Sequence, residues 1–234
     1  MLKKCLKGKY FYGVIHPAVK SLVEESITNS YTYYENNAVG YLNLLNEILK
    51  NDVGRLVFSS TGAVFGDPVT DMIREDHPKN PINPYGRTKL VVENLLSDLS
   101  IAQKFSAICL RYFNVAGADP EVGLGEAHDP ETHLIQLLLK SYYREDRPFV
   151  VFGNNYPTAD AHLLALGKPQ NMSGFVEYNL GRSIQSSVME VTKSCKRVTS
   201  RPINYNICKQ RIGDAAVLVA NSERAEMVTW IAYP

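Results

Sequence analysis

The stretch Asn83-Pro84-Tyr85-Gly86-Arg87-Thr88-Lys89 restricts the fold of this 234-residue chain more than any other. Asn is a favoured N-cap and Pro suits the first helical position, so a helix is expected to open here with Tyr85 in its first turn. Tyr85 and Lys89 stand four residues apart and would share one face of that helix. The apolar residues of Leu90-Val91-Val92-Glu93-Asn94-Leu95-Leu96 keep helical spacing beyond them. Opposite charge favours the ionised form of a titrating group, so an ammonium beside a phenol points to a general base usable near neutral pH.

The flanking segments give this pair a setting. Arg55-Leu56-Val57-Phe58-Ser59-Ser60-Thr61-Gly62-Ala63-Val64-Phe65-Gly66-Asp67 reads as a buried strand running into a hydroxyl-rich loop. Ile108-Cys109-Leu110-Arg111-Tyr112-Phe113-Asn114 reads as a second short apolar strand ending in an amide. Ligands of open parallel sheets sit at the carboxyl ends of the strands. Thr61 and Asn114 fall at two such ends, and the Tyr85 helix starts between them. Composition narrows the class further. With 45% apolar residues the chain can bury a sizeable core, and a net charge of +1 gives no reason to expect nucleic acid or a membrane surface. Cys5, Cys109, Cys195 and Cys208 lack paired or metal-ligand spacing, so free thiols in a reducing compartment and no metal are expected. The basic start, Met1 to Lys9, is not followed by an apolar stretch and cleavage site, which points to a cytoplasmic protein.

Taken together these segments resemble the extended short-chain dehydrogenase/reductases, and within them the UDP-glucose 4-epimerase family. The resemblance rests on Val57-Phe58-Ser59-Ser60-Thr61 through Gly66-Asp67, on Asn83-Pro84-Tyr85-Gly86 with Lys89, on Arg111-Tyr112-Phe113-Asn114-Val115-Ala116-Gly117-Ala118, and on Pro130-Glu131-Thr132-His133-Leu134. It implies an α/β fold, a Rossmann-like parallel sheet incomplete at its N-terminus with a smaller C-terminal substrate domain. Residues 1–115 would be the remainder of the NAD-binding domain and residues 116–234 the sugar-nucleotide domain. Strands are expected near 11–16, 55–60 and 108–114, with helices near 32–50 and 84–99.

The resemblance also assigns roles. Thr61, Tyr85 and Lys89 would be catalytic. Lys20, Asn36, Ser59, Phe113, Tyr85 and Lys89 would hold NAD, Lys20 by an alignment that slips by one residue. Thr61, Tyr85, Asn114, His133, Leu134, Phe152, Arg211 and Asp214 would bind UDP-glucose or UDP-galactose. The implied chemistry is transient oxidation at C4 of the sugar, with NAD bound as a prosthetic group regenerated in each cycle. A homodimer is compatible with the family. A sugar-nucleotide dehydratase is disfavoured, because Gly62-Ala63 stand after Thr61 where those enzymes carry an acidic pair.

Two departures from the family pattern matter. The chain contains no Gly-x-x-Gly-x-x-Gly loop before Val14-Ile15-His16, and at Asp160-Ala161 it passes over a strand that carries a diphosphate-binding arginine in the family. Phosphate cradles are built from backbone donors at helix N-termini. The chain as written is therefore expected to bind NAD weakly or not at all and to show little epimerase activity, and the alternative reading is an inactive, truncated family member or a non-catalytic sugar-nucleotide-binding protein.

Overall fold

The computed structural model describes residues 5–102, 105–113, 133, 137–138, 162, 165–167, 174–181, 183, 185, 187–199 and 211–229. Four strands, β1 (Val14–His16), β2 (Arg55–Thr61), β3 (Ser106–Tyr112) and β4 (Gly174–Leu180), lie in that order and all run parallel. The helices are α1 (Val23–Thr28), α2 (Ser30–Tyr33), α3 (Gly40–Lys50), α4 (Pro84–Ala102), α5 (Val188–Thr199) and α6 (Glu223–Thr229). Between α2 and α3 the residues Tyr34–Val39 wind as a π-helix, so the chain stays helical from Ser30 to Lys50.

β2 shows why a near-continuous apolar run was the right signal. Its central five residues are all buried, as expected of a parallel strand covered on both faces. Successive side chains point to opposite faces. Leu56 and Phe58 pack with Tyr41, Leu45 and Ile48 of α3 and Val92 and Leu96 of α4. Val57 packs on the other face with Leu110, Tyr178, Leu180, Ala165 and Ala225. The same alternation turns Ser60 toward α4 and Ser59 away from it. A third cluster, Val64, Phe65, Ile73, Phe113 and Ala220, closes the carboxyl end of the sheet.

The expected strands and helices are present with small shifts: the first strand begins at Val14, the third ends at Tyr112, and the second helix runs to Ala102. By contacts the chain divides into two compact units. The first comprises residues 1–113, 159–183 and 211–234, and the second residues 114–158 and 184–210. Of the two later segments in the first unit, 159–183 carries β4, which pairs with β3, and 211–234 carries Ala220, which bridges to Ile73. In the second unit α5 is capped reciprocally. The Ser187 hydroxyl accepts from the Glu190 amide at 3.2 Å, while the Glu190 carboxylate accepts from the Ser187 amide at 2.7 Å. The sequence also reads as a helix from Leu134 to Tyr143 and a strand from Phe149 to Gly153, and that strand and most of that helix lie outside the described residues.

Candidate active site

The site forms where β2 ends and α4 begins. The Asn83 side chain accepts from the Gly86 amide at 2.7 Å, so Asn83 caps α4 as its residue type implied, and Pro84 is the first residue of the helix. Gly86 sits directly against the turn after β2, where an added Cβ would lie 2.5 Å from the Ala63 carbonyl oxygen. That close approach brings Tyr85 to Thr61. The Thr61 hydroxyl stands close enough to the phenol to draw its pKa down, and itself accepts from the Ala63 amide at 3.2 Å.

Lys89 is buried one turn further along. Its Nζ donates to the Ser59 carbonyl at 2.6 Å and sits 4.6 Å from the centre of the Phe58 ring. Burial, opposed by neighbouring negative charge, lowers its pKa to about 7. Burial also dominates at Tyr85, whose pKa is pushed up to about 12 although the Thr61 hydroxyl pulls the other way. The neighbouring ammonium was expected to govern the phenol. In the folded chain, loss of water dominates at both groups and Lys89 is not among the causes acting on the phenol, so Tyr85 is a neutral phenol at neutral pH.

The remaining expected residues fall in different places. Ser59 is buried and its hydroxyl lies 2.7 Å from His162 Nε2, on the face away from α4. Phe113 is buried and closes over Gly62, with its ring centroid 6.0 Å from that of Phe65. Lys20 pairs through Nζ with Glu25 at 3.4 Å. Asn36 is exposed on the π-helix, whereas its neighbour Asn37 is buried. The Asn37 amide joins three elements: its oxygen accepts from the Lys20 amide at 3.0 Å, and its nitrogen donates to the Lys20 carbonyl at 3.0 Å and to Thr88 Oγ1 at 3.2 Å. The turn containing Arg211 and Asp214, an ion pair at 2.9 Å, is tied to the cap of α4 by a 2.9 Å bond from the Asn83 side chain to the Gly213 carbonyl. His133 belongs to the second unit, where its carbonyl accepts from the Leu137 amide at 3.0 Å. Asn114, Leu134 and Phe152 lie outside the described residues. Among the described residues no group of three or more His, Cys, Asp or Glu could hold a metal, and no helix is long and apolar enough to cross a membrane.

Sequence reasoning missed the charged cluster behind the site. Arg111, fully buried, donates to both oxygens of Glu93 at 3.0 and 2.9 Å and also pairs with Glu177. Glu93 also accepts from the Ser60 hydroxyl at 2.6 Å, and Lys79 Nζ lies 3.2 Å from it. The one available signal was Glu93 following Lys89 at helical spacing within an otherwise apolar face.

A parallel sheet with a Thr–Tyr–Lys constellation at its carboxyl end defines the class of nucleotide-dependent short-chain oxidoreductases and epimerases. The chain belongs to the NAD dependent epimerase/dehydratase family, whose model matches residues 2–181. It is 40% identical to a UDP-glucose 4-epimerase of Halalkalibacterium halodurans over 92% of this chain and 69% of that protein. It is 39% identical to the Lactobacillus helveticus UDP-glucose 4-epimerase over 97% of this chain and 74% of that one. Among solved structures it superposes on the Brucella ovis UDP-glucose 4-epimerase in complex with NAD with a TM-score of 0.88 and 34% identity, covering all of this chain and 76% of that one. For the Bifidobacterium longum UDP-glucose 4-epimerase in complex with NAD+ and UDP the TM-score is 0.90, at 30% identity over 98% and 73% of the two chains.

Proposed function

We propose that this chain carries the catalytic centre of an NAD-dependent UDP-glucose 4-epimerase, interconverting UDP-galactose and UDP-glucose in galactose metabolism. The observation that carries the reading is the convergence of Thr61, Tyr85 and Lys89 at the carboxyl end of β2, in a chain 40% identical to a UDP-glucose 4-epimerase.

The chemistry of the donor set fits the nicotinamide-ribose half of NAD. Lys89 Nζ spends one of its three N–H donors on Ser59, and His16, at the carboxyl end of β1, keeps a buried Nδ1 with no hydrogen-bond partner among the described residues. Lys20, Asn36, Ser59 and Phe113 would line the same side. The pyrophosphate half has no Gly-x-x-Gly-x-x-Gly turn in this sequence to hold it. Bound NAD supplies the hydride acceptor and donor.

Tyr85 takes the proton of the sugar 4-hydroxyl, directly or through the Thr61 hydroxyl, and returns it to the same oxygen on the way back. A phenol with a pKa of about 12 serves as base only when positive charge is brought against it. Lys89 in its ammonium form is one such charge. Arg211 offers a planar guanidinium suited to a diphosphate, and Asp214 an acceptor for a ribose hydroxyl. His133, Leu134, Asn114 and Phe152 complete the substrate set by family likeness. A cytoplasmic homodimer is the assembly that accompanies this reading, and sedimentation of the purified chain measures it.

The test is calorimetric titration of NAD into the purified chain, followed by conversion of UDP-galactose to UDP-glucose. Turnover that falls by two to four powers of ten in Tyr85→Phe, with the fold retained, supports the assignment. Turnover unchanged in that variant overturns it. If NAD does not bind and the chain is inactive while UDP-sugar still binds, the non-catalytic sugar-nucleotide-binding alternative is the correct one.

A further inference from the structure

We propose that Glu93 is a positioning residue for the Thr61–Tyr85–Lys89 site, a role that rests on the catalytic reading above: its carboxylate locks the helix carrying Tyr85 and Lys89 to the strand that ends in Thr61. Two bonds cross from α4 to consecutive residues of β2. Lys89 Nζ donates to the Ser59 carbonyl at 2.6 Å, and Glu93, one helical turn later, accepts from the Ser60 hydroxyl at 2.6 Å. Two attachments one turn apart fix both the height and the rotation of a helix against a strand. The next residue of β2 is Thr61, and the turn of α4 before Lys89 carries Tyr85. Any slip between the two elements therefore appears first as a change in the Thr61–Tyr85 approach.

The carboxylate is well anchored for this purpose. Arg111 on β3 holds both of its oxygens, Lys79 pairs with one, and the Cys109 thiol donates to Oε1 at 3.3 Å. Arg111 and Lys79 are held in turn by Glu177 on β4, and Arg111 also donates to the Glu75 carbonyl at 3.2 Å. One carboxylate thus gathers α4, β2, β3 and the loop after β2.

Glu93 also supplies charge. Lys89 is faced by His16 from β1, Cys109 from β3 and Glu93 on its own helix, with Tyr85 one turn before it. Burial first, then the charge of Lys89, lowers the pKa of His16 and keeps it neutral, and burial holds Cys109 as a thiol and Tyr85 as a phenol. Glu93 is then the anion among these groups, so its charge favours the ammonium form of Lys89 against the cost of burial.

The experiment titrates the full chain with lysine labelled at the ε-carbon, using Lys89→Met to assign the resonance. Lys89 is expected to titrate near pH 7 in the parent. In Glu93→Gln the midpoint should fall by roughly one pH unit, and the alkaline limb of kcat/KM should fall with it. A midpoint that does not move overturns the proposal whether or not the chain epimerises. A moved midpoint in a chain with no epimerase activity supports the role of Glu93 and sinks the catalytic reading instead. Should Glu93→Gln fail to fold, Ser60→Ala removes the cross-link with no change of charge. It is expected to lower kcat ten- to a hundredfold with KM within about twofold, the signature of a misplaced catalytic pair. An unchanged kcat in folded Ser60→Ala overturns the proposal.

Discussion

At the scale of single residues the site is a place where stability is given up for chemistry. A lysine moved from its ordinary pKa of 10.5 to about 7 carries a differential cost of roughly 5 kcal/mol. The cost is complete below pH 7, where folded and unfolded chains both carry the charge. It fades as pH rises toward 10.5, because the folded chain then holds a neutral amine while the unfolded chain stays protonated. Lys89→Met removes that cost but leaves the Ser59 carbonyl without its donor, a loss of about 1–3 kcal/mol. Thermal unfolding of Lys89→Met at pH 6 is therefore expected to show a Tm several degrees above the parent, with the gain shrinking by pH 10, and with turnover lost. A lower Tm at pH 6 would show that the ammonium is better solvated than its burial implies.

At the scale of elements, α4 is set by its first turn. Gly86 lets the helix touch the Ala63 carbonyl, and a methyl group there would sit 2.5 Å from that oxygen. Gly86→Ala is expected to cost about 1–3 kcal/mol in urea unfolding and to depress kcat by pushing Tyr85 away from Thr61. The neighbouring π-helix offers a paired comparison. Asn37 ties the loop after β1 to Thr88 on α4, whereas exposed Asn36 donates only to Asn37 Oδ1 at 2.9 Å among the described residues. Asn37→Ala should cost about 1–3 kcal/mol by leaving buried partners unsatisfied. Asn36→Ala should stay within about 0.5 kcal/mol while weakening NAD binding if the family role holds. Both costs are read from urea midpoints, and the reverse order would reassign the two amides.

At the scale of the whole molecule, the buried charges behind the sheet join its strands. Burial works against the Glu93 carboxylate, but the hydrogen bonds and charge of Arg111, with Lys79 and Ser60, outweigh it and hold its pKa below the ordinary 4.5. A depressed carboxylate contributes stability that is present above pH 4.5 and lost as pH falls through the folded value. Arg111→Met takes from Glu93 and Glu177 the fully buried one of the two cations they share, leaving Lys79. The expected cost is about 3–5 kcal/mol at pH 7, with acid unfolding moved to higher pH, both measurable by circular dichroism. An acid transition at the parental pH would show that Lys79 alone holds the carboxylate.

Much of this protein was legible in local sequence. The Asn83-Pro84 cap, the apolar run of β2 and the Tyr85–Lys89 spacing depend on neighbours within one or two turns, and local chemistry decides them. The family motifs carried the placement of Thr61 beside Tyr85. The proton affinities were a matter for tertiary structure, because they depend on how much water packing removes. Spacing alone suggested an ammonium-stabilised phenolate, whereas burial of both groups leaves a phenol and a weakly basic amine. The choice of Asn37 over Asn36 as the buried amide was also tertiary, since a π-helix rotates side chains away from ordinary helical phase. So was the pairing of Glu93 with Arg111: those residues are 18 apart in the chain, and only the packing of α4 on β3 brings them together.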